Sequence, residues 1–283
     1  MKKEPRFLRE DAKKPQKSDK RKLIVILICV AIGLIQLLIV MLAPFRSGED
    51  IASTTEQSIA TTAEVQTQDT EETTSASTEE STVPPETKPT ILPALVDLYT
   101  ENPDLAGWIT IEETVVDYPV MYTPEDGEKY IYANFDGRWD LNGLPFIDDG
   151  CSIDPESDNL IIYGHNMNSG AMFATLMKYV NESYWKEHPM VQYSTLYEER
   201  EYEIIAAFYD RVYYKYEDCF KFYQFIDARD QAHFEEAMAY YKENALYDTG
   251  VTAEYGDKLI TLVTCSYHQE NGRFVVVAKQ KNE

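Results

Sequence analysis

Basic residues are scarce in this 283-residue sequence: 26 Lys and Arg stand against 49 Asp and Glu, a formal net charge of −23. Phosphate binding wants a basic stripe, so this balance argues against a nucleic-acid partner. Cysteine is also scarce, four in the whole chain, which excludes a disulfide-stapled scaffold. There is no internal repeat at a period of 20–50 residues, so solenoids and propellers fall away as well. What the chain does have is 44% hydrophobic and 12% aromatic residues, including 21 Tyr. That is too much apolar material for a disordered acidic protein.

The charge is divided by segment. Residues 1–22 carry ten basic and four acidic residues; residues 23–43 carry no charge at all. Leu23 to Ala43 is a run of 21 residues, about 31 Å as a helix, which matches a bilayer core. Gln36 is its one strongly polar residue, and Cys29 within it reads as a small apolar side chain. The run is longer than a signal-peptide core, and Pro44, Phe45 and Arg46 follow it instead of a small-x-small cleavage site. An uncleaved anchor with a cytoplasmic basic tail is therefore expected, with the remainder extracellular. Residues 44–93 hold ten acids against two bases. Within them, Ser47 to Thr90 has 18 Ser or Thr in 44 residues and no aromatic residue. Such a segment buries too little to offset the cost of ordering, and is expected to be a flexible acidic tether spanning roughly 35–40 Å.

Residues 94–283 are expected to be one folded domain. The segment ALVDLYTENPD reads as a short amphipathic helix stopped at Asn102-Pro103. GWITIEE and VVDYPVMYT read as strands around a turn near Glu113, and YIYANF and GLPFID are further short runs. Asp158 to His165 is an apolar strand ending in Gly164 and His165. Gly170 to Val180 reads as a helix through Met172, Phe173, Leu176 and Tyr179. Strand-like runs return at MVQYSTLY and EYEIIAAFYDRVYY. A helix then spans about 228–246, with Asp227 as N-cap and a stripe of Phe234, Met238, Tyr241 and Ala245. KLITLVTC and RFVVVAKQ close the chain as two β-rich runs. The pattern implies a mostly β barrel or sandwich with helical insertions.

Three residues at strand ends have complementary chemistry. Cys265 ends TLVT, where a thiol faces a cleft more readily than in mid-strand; a buried structural cysteine is the alternative. Cys151 and Cys219 lie among acids that disfavour thiolate, and neither is expected to have a nearby basic residue that activates it. His165 follows a strand and a glycine and can exchange protons near neutral pH. His188 precedes Pro189, His233 falls on the acidic helix, and His268 is a competitor three residues past Cys265. Arg273 opens the last strand eight residues after Cys265, so pairing of the two strands would set its guanidinium beside the thiol. A nucleophile, an acid–base group and an oxyanion or substrate clamp are thereby suggested.

These residues resemble a family. TLVTC at 261–265 followed by Arg273 looks like the signature of sortases, cysteine transpeptidases of the Gram-positive surface. YGHNM at 163–167, the following Ser169 to Phe173, PDLAGWITI with VVDYPVM over 103–121, and the helix before the catalytic strand are similar to class B. The resemblance implies a closed β-barrel of short strands, with an N-terminal helix and that additional helix. It implies Cys265, His165 and Arg273 as catalytic residues, and Thr264 and Ser266 as substrate contacts by their place in the motif. It implies no cofactor, and nothing resembles the calcium site of some class A members. The implied reaction cleaves an [N/S/L]-P-x-T-type sorting motif after Thr. The acyl group then passes to a peptidoglycan-precursor amine or a pilin Lys.

A hydrolytic Cys–His thiol protease and a non-catalytic surface-binding module are the competing readings. Ordinary thiols and imidazoles are both mostly neutral at pH 7, and an acidic domain disfavours thiolate further. The reactive thiolate–imidazolium pair is therefore expected to be a minor population. Tyr209, Tyr213, Tyr214 and Phe222 are read as either groove wall or core.

Overall fold

The computed structural model describes residues 89–281. The expected basic tail and membrane span, and nearly all of the expected tether, lie outside the described residues. Helix α1 (Val96–Glu101) is followed by strands β1 (Leu105–Thr110) and β2 (Asp117–Met121). The turn between them puts Glu113 in the left-handed region. Strand β3 (Phe146–Ile147) pairs parallel to β2 and antiparallel to β4 (Asn159–Tyr163). The short helix α2 (Glu182–Glu187) precedes β5 (Met190–Thr195) and the long β6 (Glu201–Arg211). Helix α3 (Gln231–Asn244) leads to β7 (Leu259–Cys265) and β8 (Gly272–Gln280). The strands close into a barrel in the order β1-β2-β3-β4-β7-β8-β6-β5. Of the barrel and sandwich left open by the strand pattern, the barrel is the architecture.

Strands β4, β7 and β8 explain why the closure holds. Their Val, Ile and Leu runs are buried along almost their whole length, as central strands covered on both faces must be. The pairing of β4 with β7 is parallel and joins residues 100 apart, Asn159 with Leu259 through Tyr163 with Val263.

Several boundaries differ from the sequence reading. YIYANF forms no strand: Lys129–Ile131 is a single 3₁₀ turn, and Ala133 bridges to Trp139. The helix expected over 170–180 is a 3₁₀ helix, Phe173–Val180. Its buried Phe173, Leu176 and Tyr179 recur every three residues, the period of the tighter helix. Helix α3 is shorter than 228–246, because Asp230, not Asp227, caps it by accepting from the His233 amide at 2.9 Å. Asp227 instead accepts from the Asp158 amide at 3.1 Å. The buried stripe of α3 is Phe234, Ala237 and Tyr241, and Met238 and Ala245 are only half-buried. Tyr241 lies against Phe208 of β6, with ring centroids 5.7 Å apart, which fixes α3 on the sheet.

Candidate active site

Cys265 and Arg273 are direct cross-strand partners in the β7–β8 ladder. Side chains so paired leave the same face with Cβ atoms about 4.5–5.5 Å apart. The turn between them closes tightly: the Ser266 amide donates to the Gly272 carbonyl at 2.9 Å, and Asn271 takes a left-handed conformation that asparagine tolerates. A side chain at 272 would meet the Ser266 carbonyl oxygen at 2.3 Å, so only glycine fits. Cys265 is half-buried, whereas Arg273 is 2% exposed and so is no surface arginine. Its Nη1 donates to the Gly272 carbonyl at 3.1 Å.

His165 reaches the same edge from β4. Pairing continues past Tyr163, since the Gly164 amide donates to the Val263 carbonyl at 3.0 Å. His165 is the next residue beyond that bond, and Cys265 stands two residues past Val263 on β7. Thr264 Oγ1 donates to the Gly164 carbonyl at 2.8 Å, and Asn166 Nδ2 donates to the Cys265 carbonyl at 2.9 Å. These two bonds tie the strand ends together. Gly164 is glycine because a Cβ there would lie 2.6 Å from the Phe173 ring. The imidazole of His165 lies over Tyr132, with centroids 5.5 Å apart, and its Nε2 is 2.7 Å from the Ile131 carbonyl oxygen. A carbonyl only accepts, so Nε2 carries a proton and Nδ1 is the nitrogen available for proton exchange.

The other candidates sit differently. Thr264 is buried with its hydroxyl committed to Gly164; Ser266 is 4% exposed, its Oγ 2.9 Å from His268 Nδ1. Burial lowers the pKa of His268 despite the nearby Asp210 carboxylate, and its ring packs on Tyr209 at 4.7 Å. A proton-poor His268, packed at a tilt on Tyr209, is a weaker source of protons than its place in the chain suggested. The His188 ring bonds the Glu112 carbonyl, and His233, half-buried on α3, accepts from the Arg229 amide.

Cys151 is 4% exposed, and burial followed by the Asp148 carboxylate pushes its thiol well up. Cys219 is exposed and its thiol is also raised, first by desolvation. The sequence reading placed no base near it, but the charges of Lys221 and Arg211 do reach it and oppose the rise. Phe222 is core; Tyr214 stacks on Tyr216 at 5.5 Å, and Tyr213 donates to Asp210 at 2.7 Å. Two surface cavities of about 770 and 630 Å³ lie elsewhere, and neither is lined by Cys265, His165 or Arg273. Sequence reasoning quoted Asn166 within YGHNM but gave it no role, and missed the 131–132 segment against His165. Neither is visible without knowing which strand ends meet.

The sortase domain model matches residues 109–281, well over half of the chain. The chain belongs to the sortase family. Curated relatives include sortase B of Listeria monocytogenes, 32% identical over 187 residues, covering 65% of this chain and 73% of the relative. Sortase B of Staphylococcus aureus is 24% identical, covering 67% and 75%. Among solved structures, Bacillus anthracis sortase B aligns with TM-score 0.59 and 28% identity over 67% of this chain and 84% of that one. A Staphylococcus aureus sortase B–substrate complex aligns with TM-score 0.61 at 23% identity, covering 68% and 87%, which speaks to fold alone. These matches place the chain in class B, and it is a cysteine transpeptidase.

Proposed function

We propose that Cys265 is the nucleophile, His165 the proton-transfer group and Arg273 the clamp on the reacting carbonyl. The observation that carries this reading is the Cys265–Arg273 cross-strand pair, with His165 two residues past Tyr163, whose β7 partner Val263 stands two residues before Cys265. The Cys265 thiolate attacks the carbonyl carbon of Thr in an [N/S/L]-P-x-T-type sorting motif. Arg273, the cation on the face beside it, steadies the oxyanion. His165 Nδ1–H passes its proton to the leaving nitrogen as the C–N bond breaks, which leaves a thioester on Cys265. The resulting neutral ring keeps its Nε2–H on the Ile131 carbonyl, so it retains its orientation for the return step. An incoming amine attacks the thioester, gives its proton to Nδ1, and expels the thiolate. Thr264 and Ser266 act here by shaping the strand end: the Thr264 hydroxyl joins β7 to Gly164, and Ser266 anchors the turn to Arg273.

The acceptor is a peptidoglycan-precursor amine or a pilin Lys. Residues 23–43 anchor the chain with residues 1–22 cytoplasmic, and 44–93 tether the domain 94–283 outside the membrane. The uncharged run between a basic and an acidic segment supports this topology. The test offers the protein a panel of sorting-motif peptides with and without amines, read by mass spectrometry. A thioacyl adduct on Cys265 and incorporation of the amine are expected; hydrolysis alone in the presence of amine would favour a protease.

A further inference from the structure

Asp148 is a carboxylate sealed inside the protein at 1% exposure, just beyond β3. Its amide donates to the Ile161 carbonyl at 2.8 Å, which locks it against β4. Oδ1 accepts from the Gly150 amide at 2.8 Å, and Oδ2 accepts from the Tyr163 hydroxyl at 2.9 Å. Tyr163 is equally buried and ends β4, two residues before His165. Its register partner on β7 is Val263, which stands two residues before Cys265 and also shares its face. Arg273, across the ladder from Cys265, shares that face as well, and its charge favours the Tyr163 phenolate. A buried carboxyl thus bonds the Tyr163 phenol, and a buried cation lies further along the same face of the sheet. The chemistry assigned to Cys265, His165 and Arg273 does not use Asp148.

Resting on the assignment of Arg273 above, we infer that Asp148, acting through the Tyr163 hydroxyl, is a positioning residue that balances the charge of Arg273 and holds its guanidinium toward the Cys265 edge. Ionised Asp148 pulls the Tyr163 O–H toward itself, which turns the phenol oxygen's lone pairs and partial negative charge to Arg273. Protonated Asp148 no longer supplies that counter-charge, and Arg273 is held less firmly. Burial places the switch near neutrality, with the carboxyl pushed up to about 7. The groups that face it are Tyr163 and the Gly150 amide, Asp149 in its own loop, and the Cys151 thiol and Tyr122, with Arg273 beyond Tyr163. Of these, Asp149 opposes ionisation, and the bonds from Gly150 and Tyr163 favour it.

The test is the rate of acyl transfer from a sorting-motif peptide to an added amine, from about pH 5 to 9, for wild type, Asp148→Asn and Tyr163→Phe. Asparagine removes the titrating charge and keeps one acceptor oxygen in place of two, so Tyr163→Phe serves as the independent check. The ratio of wild-type to Asp148→Asn kcat is expected to climb roughly tenfold as pH rises through about 7, with KM nearly unchanged. Tyr163→Phe, which preserves the ring packing, is expected to give the same climb. A ratio that is flat across pH for either folded variant, or a loss confined to KM, overturns the inference. Failure of the underlying assignment shows separately: Arg273→Ala that transfers as fast as wild type removes the group being held, whatever Asp148 does.

Discussion

Two cysteines of the same barrel have opposite fates. Cys265 stands half-exposed at the end of β7 with an arginine directly across the ladder. Cys151 lies behind β4, its Sγ 3.5 Å from the Asn159 carbonyl oxygen and from the Ile161 amide, with Asp148 beside it. Burial and a neighbouring carboxylate act together on Cys151 to hold the thiol neutral. What separates them is the charge and access that the fold supplies, since both follow buried β structure. A strand end paired with a cation presents a nucleophile, and a loop folded over a carboxylate hides one.

The largest effect that sharpens this contrast is expected from Cys265→Ala, which should abolish acyl transfer, while Cys151→Ala keeps the chemistry. Steady-state transfer assays with matched folding controls check both. Next comes Arg273→Ala, expected to slow transfer by about 10²–10³ through loss of oxyanion stabilisation. Arg273→Lys should recover little, because a point charge on a flexible stem does not reproduce the guanidinium fork.

Stability should report the buried carboxylate. Asp148 holds its proton up to about 7 in the folded protein, against an ordinary value of 3.8. The folded state thus binds the proton more tightly than the unfolded one, so ionisation erodes stability as pH rises from about 4 to about 7. Relative to Asp148→Asn, wild type should lose up to roughly 4 kcal/mol across that window and little beyond it. Denaturant titrations at several pH values measure the difference. Gly272→Ala should cost about 1–3 kcal/mol, since the new methyl meets the Ser266 carbonyl. The smallest effect is expected for His268→Gln, a few-fold change in transfer at most, because that ring is proton-poor and packed against Tyr209.

Much of this was legible in the sequence, for local reasons. The continuous Val, Ile and Leu runs of β4, β7 and β8 announce central strands, and a Cys, a His and an Arg at their ends are conspicuous. Asp148, Tyr163 and Asn166 were not legible as a group. Their relation depends on the parallel register of β4 on β7, which joins segments 100 residues apart and leaves no trace in local spacing. The end of α3 shows a different limit: Asp227 and Asp230 both make good caps, and only the Asp158 amide's claim on Asp227 decides between them. The 3₁₀ helix at 173–180 was readable in principle, because Phe173, Leu176 and Tyr179 keep a strict period of three.

The most direct test of the contrast between the cysteines is peptide mapping of the protein trapped with a sorting-motif peptide in the absence of amine. The acyl group is predicted on Cys265 alone, with no adduct in Cys265→Ala. An adduct on Cys151 or Cys219, or one that survives in Cys265→Ala, would contradict it.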